Sequence, residues 1–187
     1  MKFTTLLTLV FLFTAAPARA QRVDLEIDPA ATTINWTLGD VLHVVHGTFL
    51  LQRGELWFDS ATGKAGGLMV VNAASGESGN GARDGRMQKS VLESARYPEV
   101  IFAPDHIEGT VALTGDSDVR LHGTFTIHGG THEMTMNVKT HAEARKLTAA
   151  ISFTVPYVKW GMKDPSNFLL KVKDFVEVGI QTTAQVK

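Results

Sequence analysis

The chain contains no cysteine in its 187 residues. That absence removes disulfide staples, thiol catalysis and cysteine-based metal sites, so stability has to come from burial. It also removes the cysteine that would carry an N-terminal lipid anchor. No charge of either sign is in large excess. Setting aside Lys2 and Arg19 in the N-terminal leader leaves 16 basic against 19 acidic residues, a balance of −3. A mildly acidic chain is a poor match for nucleic acid or anionic lipid surfaces, because both reward clustered lysine and arginine. Sequence signatures of common enzymes are also missing. There is no Gly-x-Ser-x-Gly elbow, no phosphate loop and no dinucleotide fingerprint. Ser75 and Ser78 sit in a Gly-rich stretch, but no motif pairs either with a histidine.

Long apolar runs are confined to the N-terminus. Lys2 is followed by an uncharged apolar run from Phe3 to Phe13 and then by Ala18-Arg19-Ala20. This is the pattern of a secretory signal peptide, with cleavage expected after Ala20. The run is shorter than the roughly 20 apolar residues that span a bilayer. We therefore expect no membrane anchor, a periplasmic or secreted location, and one domain over residues 21–187.

What is present is a period of two. In Asp118–Ile127, Leu121, Gly123, Phe125 and Ile127 share one side, while Arg120, His122, Thr124 and Thr126 take the other. His128-Gly129-Gly130-Thr131 reads as a turn, and Met134, Met136 and Val138 continue the apolar side beyond it. A two-residue turn at Gly129-Gly130 pairs Ile127 with His132, Phe125 with Met134, Gly123 with Met136 and Leu121 with Val138, all on one face. The same alternation places Ile34, Trp36 and Leu38 inward, and Leu56 and Phe58. It also groups Ile107, Val111 and Leu113; Leu147, Ala149, Ile151, Phe153 and Val155; and Val172, Val176, Val178 and Ile180. Roughly eight or more short strands with glycine turns point to an all-β sandwich or barrel. The segment around residues 84–95 is the exception and reads as a helical insertion, with a further helical turn near Val158–Met162.

Seven histidines raise the question of metal. His43 and His46 are three apart, which on a strand means opposite faces. His122 and His128 share a face but lie roughly 20 Å apart along a strand. Neither spacing suits a metal centre, so no metal is expected.

Several pieces, in order, resemble the YceI-like family of periplasmic polyisoprenoid-binding proteins. They are Trp36, His46-Gly47-Thr48-Phe49 and Gly54-Glu55-Leu56-Trp57-Phe58-Asp59; Ala73-Ala74-Ser75 with Gly79-Asn80, leading into Arg83-Asp84; Tyr97-Pro98-Glu99-Val100-Ile101-Phe102; Gly123–Thr131; and Val172–Val178. Two positions depart from the family pattern. Arg86 stands where a histidine is common, and Lys159-Trp160-Gly161-Met162 stands where an arginine and an acidic residue precede Phe-Gly.

The resemblance implies an extended, antiparallel, eight-stranded lipocalin-like barrel around a long-chain apolar lipid, such as a polyisoprenoid or a quinone-like molecule, with no other cofactor. Exported chains of this family often pair up, which leaves a homodimer open. The expected lining is Trp36, Phe58, Phe102, Leu113, Leu121, Gly123, Phe125, His132, Met134, Met136, Ile151, Phe153 and Val178. Alternation alone is equally consistent with a solid barrel. Gly109, Gly123 and Ala149 on the inward face, with the adaptable Met134 and Met136, favour a cavity. Arg83 and Asp84 are expected at the barrel mouth, Asp84 as a helix N-cap or beside a polar head group. The expected role is a carrier rather than an enzyme. The alternatives are an enzyme using Asp84 or His132 as acid or base, and a filled barrel acting through protein partners.

Overall fold

The computed structural model describes residues 22–39, 44–166 and 171–187. The signal-peptide segment and His43 lie outside the described residues. Nine strands form one antiparallel sheet: β1 (Arg22–Ile27), β2 (Thr33–Gly39), β3 (Val44–Asp59), β4 (Ala65–Glu77), β5 (Glu99–Glu108), β6 (Gly115–Ile127), β7 (Gly130–Glu143), β8 (Lys146–Val155) and β9 (Val176–Val186). Both β1 and β2 pair with β3 and with β9, end to end, so together they make a single interrupted stave. Pairing of β3 with β4 closes the sheet. The result is the expected eight-stave antiparallel barrel with one short helical insertion. Closure leaves no free edge to template aggregation.

Alternation decides which side chains face in. Val23, Leu25 and Ile27 of β1 are buried while Arg22 and Glu26 are exposed, and β6 and β7 repeat the pattern. In β3 the register shifts between Leu51 and Arg53. This bulge moves the inward set from Phe49 and Leu51 to Gly54, Leu56 and Phe58, so one 16-residue strand keeps an apolar inner face throughout. Trp57 is left outside, beneath the Arg22 guanidinium at 4.6 Å.

The β6–β7 hairpin has the expected faces but a different register. Its turn residues are His128 and Gly129, both at positive φ (51° and 73°), which a two-residue primed turn requires. Ile127 therefore pairs with Gly130, Phe125 with His132, Gly123 with Met134 and Leu121 with Met136. The offset from the expected register is two residues, which preserves every side chain's face.

The two barrel ends are built differently. At one end tight connections at residues 60–64, 109–114 and 144–145 join the strands. At the other lie the insertion between β4 and β5 and the turn at residues 156–162, whose Trp160 packs on Phe125 and His132. The insertion starts earlier than the sequence suggests. Helix α1 (Gly81–Arg86) leads into a π-helical turn at Met87–Val91, and Glu93 at φ 46° ends it. Asn80, rather than Asp84, is the N-cap, its side chain accepting from the Arg83 N–H at 3.1 Å. Between β8 and β9, Pro156 opens a helical turn closed by Trp160 N–H to Pro156 O and Met162 N–H to Tyr157 O. The Tyr157 hydroxyl donates to Lys173 O at 2.8 Å and ties this turn to the approach of β9.

Candidate functional site

The barrel interior changes character along its axis. The half beneath the tight turns holds a cavity of about 80 Å³ with almost wholly apolar walls. Every stave contributes: Leu25 and Ile27, Phe58, Met69, Pro104 and Ile107, Leu121, Val138, Leu147 with Ala149 and Ile151, and Ala184. Thr140 and Thr182 are the polar side chains on the wall. A dry apolar void of about 150 Å³ holds one benzene, and ligand pockets usually run to about 300–1,000 Å³. A long chain therefore enters only if lining side chains move. Met69 on this wall and Met136 beside it are flexible enough to do so.

The other half is filled by rings. Phe125 packs edge-on against Phe153 (centroids 5.9 Å apart) and tilts against Trp160 (5.8 Å). Trp160 in turn stacks on His132 at 4.0 Å with a 6° interplanar angle. Trp36 is inward and only 5% exposed. Its ring covers Gly47, where a Cβ would lie 2.4 Å from the indole and 2.3 Å from Glu77 O. Val178 pairs with both Trp36 and Phe153, joining Trp36 to the ring cluster. Four buried polar atoms at this end have no hydrogen-bond partner among the described residues: Trp36 Nε1, Gln88 Oε1, His128 Nε2 and His132 Nε2. The last-but-one does lie 3.5 Å from Glu93.

The residues expected to line the interior therefore divide. Phe58, Leu121 and Ile151 border the cavity. Trp36, Phe125, His132 and Phe153 gather at the filled end. Phe102 and Met136 are core, and Met134 and Val178 pack partly buried against it. Two expectations are corrected. Leu113 is 46% exposed, because β5 stops at Glu108 and Gly109, at φ 101°, turns the chain outward. Strand parity does not carry across that loop. Gly123 is inward but does not widen the bore. A Cβ there would sit 2.4 Å from Ala103 O and 2.6 Å from Pro104 Cα, where the bulge in β5 brings backbone against β6. Gly109, which had argued for an open interior, also lies outside it.

Arg83 and Asp84 form a self-contained network at the insertion. The Arg83 guanidinium donates to Ser78 Oγ at 2.7 Å and to Ser78 O at 2.9 Å, and the Ser78 hydroxyl donates to Asp84. These bonds fasten α1 to the end of β4. On the outer wall His122 is held between two carboxylates, Asp105 at 2.7 Å from Nδ1 and Glu133 at 3.5 Å from Nε2. Its hydrogen bond to Asp105 raises its pKa above the ordinary 6.5, opposed by desolvation and aided by the charges of Asp105, Glu133 and Glu108. Burial, followed by Asp164 and Asp174, pushes the Tyr157 phenol up to about 12.

The cavity walls drawn from β1 and from the start of β4, Leu25, Ile27 and Met69, were not among the expected lining residues. The signal for β1 was available, since Val23, Leu25 and Ile27 alternate with Arg22, Asp24 and Glu26.

Comparison with known proteins fits this architecture. No curated protein matches the sequence. Among solved structures, Burkholderia cenocepacia BcnA superposes with a TM-score of 0.71 at 17% identity, covering 85% of this chain and 99% of that one. A polyisoprenoid binding domain from Saccharophagus degradans, implicated in plant cell wall breakdown, gives 0.69 at 16% identity over 87% and 98%. Campylobacter jejuni YCEI protein gives 0.58 at 15% identity over 100% and 99%. At such identities the likeness is one of fold. The profile of the YceI-like domain matches residues 25–184, which takes in parts or all of all nine strands, and the chain belongs to the YceI-like family.

Proposed function

We propose that this protein is an exported, non-enzymatic carrier that takes up a polyisoprenoid or similar long-chain amphiphile, quinone-like molecules included, into its barrel. The observation that carries the reading is the cavity of about 80 Å³ walled by aliphatic and aromatic side chains from every stave. Burying one CH₂ contributes about 0.8 kcal/mol, so a five-carbon isoprene unit contributes roughly 4 kcal/mol before losses. Several units exceed the roughly 4–15 kcal/mol that association costs. The surplus is also available to displace Met69 and its neighbours. A carrier built this way reads chain length more than any single polar contact. The Saccharophagus degradans neighbour, described as a polyisoprenoid binding domain, supports the same class of ligand. The signal-peptide pattern ending at Ala20 supports a periplasmic or secreted location.

An enzyme reading has less behind it. Asp84 is engaged by Ser78, and His132 lies flat against Trp160. The two are not paired with each other in the described contacts, and the Ser78 hydroxyl beside Asp84 is held by the Arg83 guanidinium.

The test is displacement of a bound fluorescent dye, N-phenyl-1-naphthylamine, by prenols of two, three and four isoprene units. Affinity is expected to climb steeply with each added unit. Failure of all three prenols to displace the dye, or equal affinity for all three, overturns the reading.

A further inference from the structure

The outer wall carries a group of side chains that the carrier reading leaves unused. Asp105 on β5, His122 on β6 and Glu133 on β7 meet on the outward face, and one ligand-capable atom from each lies within 4.8 Å of the others. The spacing of the histidines gave no hint of it. The group holds a single histidine and draws its carboxylates from the two neighbouring strands.

Local structure sets the geometry. The bulge in β5 puts two consecutive exposed residues, Asp105 and His106, against the one residue His122. Bulges commonly re-aim side chains in this way, and here it is Asp105 that meets the ring. On the other side His122 pairs with Thr135 and Glu133 with Thr124. His122 and Glu133 are therefore diagonal neighbours, within reach of long side chains. Thr124 Oγ1 donates to Glu133 Oε1 at 3.4 Å, while Glu133 Oε2 lies 3.5 Å from His122 Nε2.

The two ring nitrogens then have different tasks. An ionised carboxylate only accepts, so Asp105, 2.7 Å from Nδ1, keeps the proton on that nitrogen. In the neutral ring Nε2 is left with its lone pair, close to the oxygen lone pairs of Glu133. Two converging lone pairs call for a cation between them. Zinc bonds to nitrogen and oxygen of about 2.0–2.2 Å, in tetrahedral geometry, hold adjacent ligand atoms about 3.3–3.5 Å apart. The observed separation is 3.5 Å. Asp105 supplies the outer carboxylate that a metal-bound histidine commonly has on its second nitrogen. Among the described ion pairs, neither Asp105 nor Glu133 has a lysine or arginine partner, and Arg120 on the same face of β6 is taken by Glu108 at 2.7 Å. His141 gives the contrast. Asp116 lies 2.7 Å from its Nδ1, but no carboxylate faces its Nε2 in the described contacts.

We propose that the outer wall holds a divalent transition-metal site of the zinc class, with His122 Nε2 and Glu133 Oε2 as protein ligands, Asp105 as the residue that positions the ring, and water in the remaining places. The mixed nitrogen and oxygen donor set favours Zn²⁺ over Mg²⁺ and Ca²⁺, which take oxygen ligands. The ion ties β6 to β7 and keeps exchangeable positions toward solvent. The site lies outside the bore, so it stands independently of the carrier reading.

The test is calorimetric titration of the tag-free protein with Zn²⁺, read alongside NMR spectra of the histidine ring nitrogens. One ion is expected to bind per chain, far more tightly than Ca²⁺. His122→Gln and Glu133→Gln are expected to abolish that binding, and His141→Gln to leave it unchanged. Asp105→Asn is expected to weaken it by about 10–100-fold, the usual cost of losing an outer partner of a metal-bound histidine. The ring signals of His122 should move on adding Zn²⁺ while those of His141 stay in place. Two separate ligand variants keep the test usable if one does not fold, which circular dichroism would reveal. No binding at millimolar Zn²⁺, binding untouched in folded His122→Gln or Glu133→Gln, or Ca²⁺ held as tightly as Zn²⁺ overturns the site. Unchanged affinity in Asp105→Asn overturns the positioning role.

Discussion

Replacing Ala149 with leucine puts three more carbons into the interior at a point where the wall is thin. Ala149 faces inward on β8 between Leu147 and Ile151, opposite Thr140 and Thr182, and borders the cavity. Three added carbons are worth about 2.4 kcal/mol of burial at about 0.8 kcal/mol each. Strain from overpacking takes back about 1–3 kcal/mol, so the empty barrel should change stability little. The ligand responds differently. Methylene groups that would have lain against Ala149 lose their place, and the same 2.4 kcal/mol becomes about a 50-fold loss of affinity at about 1.4 kcal/mol per decade. Urea melts and displacement of N-phenyl-1-naphthylamine by a four-unit prenol measure the two halves separately. A variant as stable as the parent that binds the prenol with unchanged affinity would refute the placement of the chain in this half of the barrel.

The remaining predictions concern the frame around the cavity. Gly123→Ala drives a methyl group into Ala103 O and Pro104 Cα; it should lower unfolding free energy by about 1–3 kcal/mol in urea titrations, and a neutral result would refute the close approach. The His122–Asp105 pair raises the folded-state pKa of the histidine. Its stabilisation is therefore complete below the ordinary 6.5 and disappears as pH climbs through the raised value. The gap in urea midpoint between the parent and Asp105→Asn should close over that rise; a gap independent of pH contradicts the pairing. Tyr157, with its phenol pushed up from 10.0 to about 12, should make the barrel lose stability between pH 10 and 12, as the unfolded chain ionises first. Tyr157→Phe should lack that loss, and an identical alkaline profile would count against a buried phenol.

Much of the barrel was readable because alternation and burial are the same fact in a closed antiparallel sheet. Ile34 and Trp36 on β2, Phe58 on β3, and Leu147, Ile151 and Val155 on β8 all face inward as their parity requires. The hairpin register failed by two residues for the same reason that the faces succeeded. Parity cannot distinguish a turn at His128-Gly129 from one at Gly129-Gly130, and the choice fell to His128 accepting a positive φ. The insertion was placed too late because Asp84 is a stronger-looking cap in isolation, whereas Gly79 and Asn80 provide the actual entry. The location of the void was not legible. It depends on where bulges in β3 and β5 bring backbone inward, as at Gly123, and on a loop that takes Leu113 out of the strand pattern. Nor could a linear reading foresee that Trp160, from the segment after β8, would fill the end opposite the cavity and stack on His132.

Native mass spectrometry of the protein, purified from its own host without detergent exchange, asks most directly whether the barrel carries a greasy cargo. The account predicts an added mass that is released on unfolding and fragments as a molecule with a long hydrocarbon tail. A spectrum showing only the bare polypeptide, from protein that also rejects prenols in solution, would contradict it.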